Sequence, residues 1–487
     1  MMAVLTVAFS MANYVILLIA SYYITVLSYR LLLHLLKSYP GPLLSNLTDF
    51  YGGIYSFQRT LHFKTWKDHK QYGPIVRQGP NKLIFNSVAA VHDIYMSESV
   101  SKAQCYQAGN VNPSMTNVFN TIDKHVHRIK RRHVGQLLTD RSVRTFEPKM
   151  GEQINVFLRE IPLTYQNTPR TPINMSERCK YLGLDITGYL GFGWRLNMYM
   201  QFPALRRLRL EILFYALAII QGKSFLQVLS KMIQSRLAKK TNAEHDLYAF
   251  MASAPETPEG DKINIKEIWN EGIFFLPAAG DTTSTALSAL LFYLARNKQC
   301  RDRLAQEIRS KFSSSSEIKV SRLQGCQYLR ACIYEALRMS PPVPGTLWRE
   351  QMPSSTGKPF IVDGHTIPSG VQVGVNIYTL HRNPEYFPNP FQYDPDRWIP
   401  AKGDEIDIRP EDQHSGLKHN PAFMPFSLGG RGCAGKTMAY AEISLAMAKA
   451  LCAEFKLLDI FTSSHDCPDL TFQPRGDHWK DLLTVHE

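Results

Sequence analysis

Pro425-Phe426-Ser427-Leu428-Gly429-Gly430-Arg431-Gly432-Cys433-Ala434-Gly435 sets one cysteine in a frame of glycines, with an arginine two residues before it. An apolar, alanine-rich run from Met438 to Leu451 follows and predicts a helix. The glycines let the backbone turn sharply and approach something flat and bulky. A thiol at a helix N-terminus is pushed toward thiolate by the aligned N–H groups. A thiolate held there is a metal ligand or a nucleophile.

The nucleophile reading asks for a base, which a histidine distant in sequence can supply. A zinc site asks for further ligands at short spacing, but there is no Cys-x-x-Cys and the eight cysteines are scattered. An inert cysteine in a Gly-rich turn is the bland alternative. The remaining chemistry is a single axial thiolate beneath a haem, with Arg431 pairing with a propionate. Thiolate ligation pushes electron density onto iron and favours O–O cleavage.

Phe426-x-x-Gly429-x-Arg431-x-Cys433-x-Gly435 resembles the haem-binding signature of the cytochrome P-450 family, with every fixed position filled. The resemblance runs from Pro40 to the C-terminus in the family's motif order. It implies a mainly α fold with small β-sheets, haem b (iron protoporphyrin IX) as cofactor, and Cys433 as the proximal iron ligand. Phe426 would then pack near the sulfur and shield it.

Three further motifs carry the resemblance. Ile265 to Asn297 reads as a long helix whose buried stripe is Leu287, Leu290, Leu291 and Leu294. Pro277-Ala278-Ala279-Gly280-Asp281-Thr282-Thr283 lies at its middle, where Pro and Gly favour a local kink. On the bland reading the Thr hydroxyls bond back to helix carbonyls. The resemblance makes Asp281 and Thr282 an acid–alcohol pair that relays protons over the haem, with Ala279 where the family more often has Gly. Glu335-x-x-Arg338 lies on a predicted helix stopped by Pro341-Pro342, and Tyr393-Asp394-Pro395-Asp396-Arg397-Trp398 follows. Together they imply a structural Glu335–Arg338–Arg397 network. The cationic run Lys124 to His133 reads mostly as a solvated helix face. His127 and Arg131 stand one turn apart and resemble the propionate-binding pair, with His where Trp is more usual. Arg349 resembles a third propionate ligand on a strand leaving Pro344.

Length (487 residues), a 44% hydrophobic fraction and 20% charge describe a globular protein. No repeat and no Pro/Gly/Ser linker divides it, so residues 1–37 read as an N-terminal anchor and residues 38–487 as one catalytic domain. The net charge of +13 fits an acidic protein partner or a membrane surface. No nucleic-acid module is visible. Ala3 to Tyr29 carries no charge and exceeds the roughly 20 apolar residues that span a bilayer. Arg30 and Lys37 follow it, placing the catalytic domain on the cytosolic side. That agrees with unpaired cysteines and leaves the sequons at Asn46 and Asn174 unused. A cleaved signal peptide, the rival, asks for basic residues before the run. Ser38-Tyr39-Pro40-Gly41-Pro42 breaks the anchor helix and resembles the proline hinge of microsomal members.

Other stretches are read locally. His69 to Phe85 predicts a turn leading into a small sheet, and Val88, Val91, Ile94 and Tyr95 a helix. Asp363-Gly364 and Pro368-Ser369-Gly370 mark turns, and Leu470 to Val485 predicts strands beside the substrate. Gln104 to Thr121, with Gly109 and Pro113, matches a substrate-contacting loop of the family, and Leu210 to Ile220 the roof of a pocket. The link from Gly193 to Asn197 is short beside the family's.

The function implied is a monooxygenase at the endoplasmic reticulum membrane, fed by an acidic NADPH-cytochrome reductase and acting on a small lipophilic substrate. Tyr72 to Arg77 and His381-Arg382-Asn383-Pro384 resemble fungal members that tailor terpenoids, polyketides or alkaloids. Haem-thiolate isomerases or dehydratases and non-catalytic haem sensors are the alternatives; the Asp281-Thr282 pair argues against both.

Overall fold

The computed structural model describes residues 2–107, 115–167, 173–194, 196, 227, 229–239, 246, 248–249, 265–352, 359–401, 416–452, 455–459 and 469–474. The expected roof at Leu210 to Ile220, Gly109, Pro113, Asn197 and residues 475–485 lie outside them. The fold is mainly helical with small sheets, arranged as two compact units.

The first unit comprises residues 1–103, 344–388 and 428–430. Helix α1 (Met2–Ser28) continues as a π-helical stretch, Tyr29–Leu33. Phe9–Leu33 is long and apolar enough to cross a bilayer, and none of that span is buried. The Pro40-Gly41-Pro42 hinge is stitched to strand β1 (Ile75–Gly79). The Arg77 N–H donates to the Pro40 carbonyl at 2.8 Å, and the Ser45 hydroxyl donates to the Arg77 carbonyl at 2.8 Å. A Cβ on Gly41 would collide with that same carbonyl. Short helices α2 (Leu43–Leu47), α3 (Phe50–Phe57) and α4 (Leu61–Tyr72) follow.

Strand β2 (Lys82–Phe85) pairs antiparallel with β1, Val76 opposite Ile84. Helix α5 (Val88–Tyr95) starts where the Ser87 hydroxyl accepts the Ala90 N–H. The sheet order is β1-β2-β8-β5-β3, with β3 Val100–Lys102, β5 Arg349–Gln351 and β8 Gln372–Val375. Val76, Leu83, Ile84, Phe85, Val373 and Val375 are fully buried, because β-branched and large apolar residues fill both faces of its centre. The strand expected from Pro344 begins only at Arg349. Pro344 has no N–H to give a ladder, and Thr346 makes one isolated bridge, to Asn376. Hairpin β6–β7 (Phe360–Val362, His365–Ile367) turns at Asp363 (φ 49°) and Gly364 (φ 76°), the left-handed pair a two-residue hairpin demands.

The second unit comprises residues 104–343, 389–427 and 431–487. Its helices are α6 (Lys124–Leu137), α7 (Asp140–Asn167), α8 (Met175–Phe192), α9 (Ile265–Arg296), α10 (Lys298–Lys311), α11 (Gln327–Met339) and α12 (Lys436–Cys452). Asn174 caps α8 by accepting the Glu177 N–H, a structural use for one of the two sequons. Helix α9 packs on α8, α11 and α12. It crosses α8 so closely that a Cβ on Gly183 would stand 2.5 Å from the Gly280 carbonyl oxygen. Its Leu287, Leu290, Leu291 and Leu294 are buried, as their spacing predicts, and the helix continues through Pro277. Strand β10 (Asp469–Pro474) pairs with β9 (Phe455–Asp459) and with β4 (Ile173–Asn174).

Glu335 is the hub beneath α11. It has no exposed surface and accepts from Arg338 Nε (2.9 Å) and Nη2 (2.8 Å), Arg397 Nε (3.0 Å), Trp398 Nε1 (3.0 Å) and the Asp394 N–H (3.1 Å). The Glu335–Arg338–Arg397 network is therefore present, and Trp398 joins it.

Candidate active site

The cysteine loop is held by its backbone. Cys433 N–H donates to the Phe426 carbonyl at 2.8 Å, closing the loop on itself. Ser427 adopts φ 59° and Gly429 φ 67°. A Cβ on Gly429 would collide with the Tyr95 carbonyl, which is why a glycine stands there. The Phe426 ring packs on Tyr440 of α12, 5.1 Å between centroids.

Four groups around the Cys433 sulfur stabilise negative charge on it. The backbone N–H groups of Gly435 and Lys436, at the start of α12, lower its pKa, as do the charges of Arg131 and Lys436. Burial is the larger influence and pushes the thiol up. The N–H groups at the helix start thus push the thiol toward thiolate, as their placement predicts, while burial opposes them. The residue nevertheless keeps an exposed side.

A thiol held above its ordinary pKa is a poor free nucleophile. A coordinated cation deprotonates it outright. Among the described residues no group of three or more His, Cys, Asp or Glu could hold a metal ion, so among them a cation here would have at most two such ligands. The donor set fits a single thiolate ligand to haem iron: one sulfur with an open side, its charge met by two N–H groups and two cations.

Arg131 anchors α6 to this loop, its Nη1 donating to the Gly432 carbonyl at 2.8 Å. Burial lowers its pKa and the Cys433 sulfur raises it. His127 lies buried one turn earlier on the same helix. Arg431 reaches the other way, donating to the carbonyls of Thr121 (2.6 Å) and Ile122 (2.8 Å). Its guanidinium is thus already used as a clamp on that segment. Arg349 belongs to the first unit, where it is buried, stacks on Tyr95 at 5.0 Å and donates to the Trp348 carbonyl at 3.0 Å.

On α9 the Thr282 hydroxyl donates to the Ala278 carbonyl at 2.6 Å, the back-bonded pattern, which leaves its oxygen free to accept. Asp281 is half exposed, and its carboxylate stands 3.6 Å from Lys180 Nζ of α8. Lys180 is not visible as a partner in the sequence, since nothing local links the two helices.

The cationic run on α6 divides by burial. Arg128 and Arg132 are exposed, whereas Lys130 turns inward to Glu271 (3.4 Å) and Glu267 (3.5 Å) of α9. Glu271, missed in the sequence, carried one signal: it is the last acid before the apolar run Ile273 to Gly280.

Comparison with known proteins agrees with this chemistry. The cytochrome P450 family profile matches residues 215–460. Cytochrome P450 monooxygenase poxM of Penicillium oxalicum is 32% identical, with 91% of each chain covered. Cytochrome P450 monooxygenase apf7 of Gibberella fujikuroi is 32% identical over 87% of this chain and 86% of its own. Cytochrome P450 monooxygenase atnE of Emericella nidulans is 29% identical over 92% and 93%. The crystal structure of the cytochrome P450DA heme domain matches the fold with a TM-score of 0.69 at 18% identity, covering 87% of this chain and 95% of that one.

Proposed function

We propose, because this chain belongs to the cytochrome P450 family, that it is a membrane-anchored oxidase of a small lipophilic fungal metabolite, fed with electrons by an NADPH-dependent reductase. Family membership makes it a haem-thiolate monooxygenase with haem as cofactor. The observation that carries the site assignment is the Cys433 sulfur facing the N–H groups of Gly435 and Lys436, with Arg131 and Lys436 supplying positive charge.

Haem, when bound, supplies the activation of dioxygen. Every other role falls to the chain. Cys433 would hold the haem iron through its sulfur, and the loop closed through Phe426 keeps that sulfur in one place. Arg131, His127 and Arg431 would meet the propionates. Thr282 Oγ1, its own proton committed to Ala278, would be free to accept a hydrogen bond at the reacting centre. Asp281, half exposed and beside Lys180, exchanges protons between solvent and that hydroxyl.

Residues 1–37 are the anchor in the endoplasmic reticulum membrane, and residues 38–487 the catalytic domain on the cytosolic side. Exposed Arg128 and Arg132 suit an acidic flavoprotein, where charge complementarity mainly raises the encounter rate. The relatives are fungal, and the resemblance of Tyr72 to Arg77 and of His381-Arg382-Asn383-Pro384 to fungal tailoring members favours a terpenoid, polyketide or alkaloid substrate.

The test is coupling in the reductase-reconstituted enzyme. Thr282→Ala raises peroxide released per NADPH consumed while haem content stays at the wild-type level. Unchanged coupling contradicts the role given to Thr282.

A further inference from the structure

Four aromatic rings of the second unit run in contact from the cysteine loop into the protein. Phe426, whose carbonyl accepts the Cys433 N–H, packs on Tyr440 of α12 with 5.1 Å between centroids. Tyr440 lies 5.6 Å from Tyr334 of α11, and Tyr334 meets Trp398 edge to face, 5.5 Å between centroids and 89° between planes. Tyr440, Tyr334 and Trp398 are all buried. Phenols and indoles give up an electron more readily than any other ring in a protein. Phenylalanine would fill nearly the same volume at 334 and 440, so filling the core does not by itself call for phenols there.

The two ends of the row differ in charge. The Arg330 guanidinium stands over the Tyr440 ring, 4.4 Å from its centroid. A cation held on a ring face draws on the π electrons and makes one harder to remove. At the far end Trp398 Nε1 donates to Glu335 Oε2 at 3.0 Å. A carboxylate with no exposed surface, at hydrogen-bond distance, stabilises positive charge on the indole. Arg338 and Arg397 share that carboxylate and fix its position. Positive charge therefore passes through Tyr440 and comes to rest on Trp398. No step at Asp281 or Thr282 uses these rings.

We infer that Tyr440, Tyr334 and Trp398 form a one-electron path that drains oxidising equivalents from the cysteine loop to Trp398, sparing the loop and its haem when no substrate is bound. Its use rests on the haem-thiolate reading. Thiolate ligation favours O–O cleavage, and a peroxide cleaved there with no substrate to oxidise leaves a strong oxidant at the site. One electron leaves the Trp398 indole and passes through Tyr334 and Tyr440 to that oxidised centre, which is reduced by one equivalent. Trp398 becomes a cation radical with its N–H still on Glu335. No bond forms or breaks and no proton moves. A one-electron reductant of the ascorbate class restores the indole.

The test uses the full-length, haem-loaded, substrate-free protein in detergent, mixed with peracetic acid and freeze-quenched. Electron paramagnetic resonance reads the radical. Wild type gives a tryptophanyl signal. Trp398→Phe loses it, and Tyr334→Phe weakens it several-fold with a tyrosyl signal in its place. Trp66→Phe, in the first unit, leaves it at the wild-type level. Without peracid quenching, the Soret band bleaches several-fold faster in Trp398→Phe than in wild type. A tryptophanyl signal that survives Trp398→Phe, or a wild-type radical confined to tyrosine, overturns the path. Equal bleaching of wild type and Trp398→Phe overturns its protective use. If Trp398→Phe does not fold, Tyr334→Phe decides, and an unchanged signal there overturns the path. A chain that takes up no haem sinks the haem-thiolate reading together with the path; a haem-loaded chain with its radical elsewhere sinks the path alone.

Discussion

Glu335→Gln removes one charge while keeping the side chain's shape. In the folded protein its two oxygens receive five donors, three of them from Arg338 and Arg397. Arg338 has no exposed surface, and it also donates to the carbonyls of Pro390 (2.7 Å) and Gln392 (3.2 Å), which carry no formal charge. Glutamine would leave that guanidinium buried without its counter-charge and would turn an N–H₂ toward donors. Breaking one partner of a buried pair costs about 3–5 kcal/mol. Glu317→Gln is the control: Glu317 and Arg322 stand 3.2 Å apart, both about half exposed, and such a pair contributes up to about 1 kcal/mol. Urea unfolding of both variants beside wild type, followed by tryptophan fluorescence, gives the difference at matched slope. The Glu335 variant unfolds at markedly lower urea and the Glu317 variant close to wild type. Equal midpoints for the two variants would refute the assignment of Glu335 as the neutralising centre.

Two further perturbations read other parts of the fold. Burial pushes the Glu442 carboxyl on α12 up to about 8, from an ordinary 4.5. The folded protein therefore keeps a proton the unfolded chain has lost, and stability falls as pH rises from the unfolded carboxyl's range to about 8. Glu442→Gln removes that fall and at pH 7 gains up to about 3 kcal/mol; parallel stability–pH curves for wild type and variant would contradict it. Deleting residues 1–37 moves the protein from the membrane fraction to the soluble fraction and leaves the haem spectrum unchanged. A truncated chain that stays in the membrane fraction counts against α1 as the anchor.

The sequence is most informative where the chemistry is local. The Pro425 to Gly435 loop needs its glycines within a few residues of the sulfur, and the positive φ at Gly429 shows one of them in use. Glu335 and Arg338 are one turn apart, and only the downstream Arg397-Trp398 pair distinguishes them from any helical ion pair. Long-range pairing is where such reading stops. Eight basic residues or histidines between Lys124 and His133 look alike as a run, yet Lys130 turns to Glu271, Arg131 to the Gly432 carbonyl, and Arg128 and Arg132 to solvent. Each choice depends on what α9 and the cysteine loop present to α6, which no spacing within α6 encodes. Arg431 shows the same limit: its motif suggests an anion, while its guanidinium holds two carbonyls three hundred residues upstream. Glu442 carried a signal that could have found it, a single acid in an otherwise apolar helical stretch, and Glu271 a weaker one, the last acid before the apolar run Ile273 to Gly280.

The central claim is that the sulfur at position 433 ligates haem iron, and the spectrum of the reduced carbonyl form tests it most directly. Wild-type protein gives the thiolate-type spectrum, and Cys433→Ala gives none while its far-ultraviolet circular dichroism still shows a helical fold. A thiolate-type spectrum retained by Cys433→Ala would contradict the account.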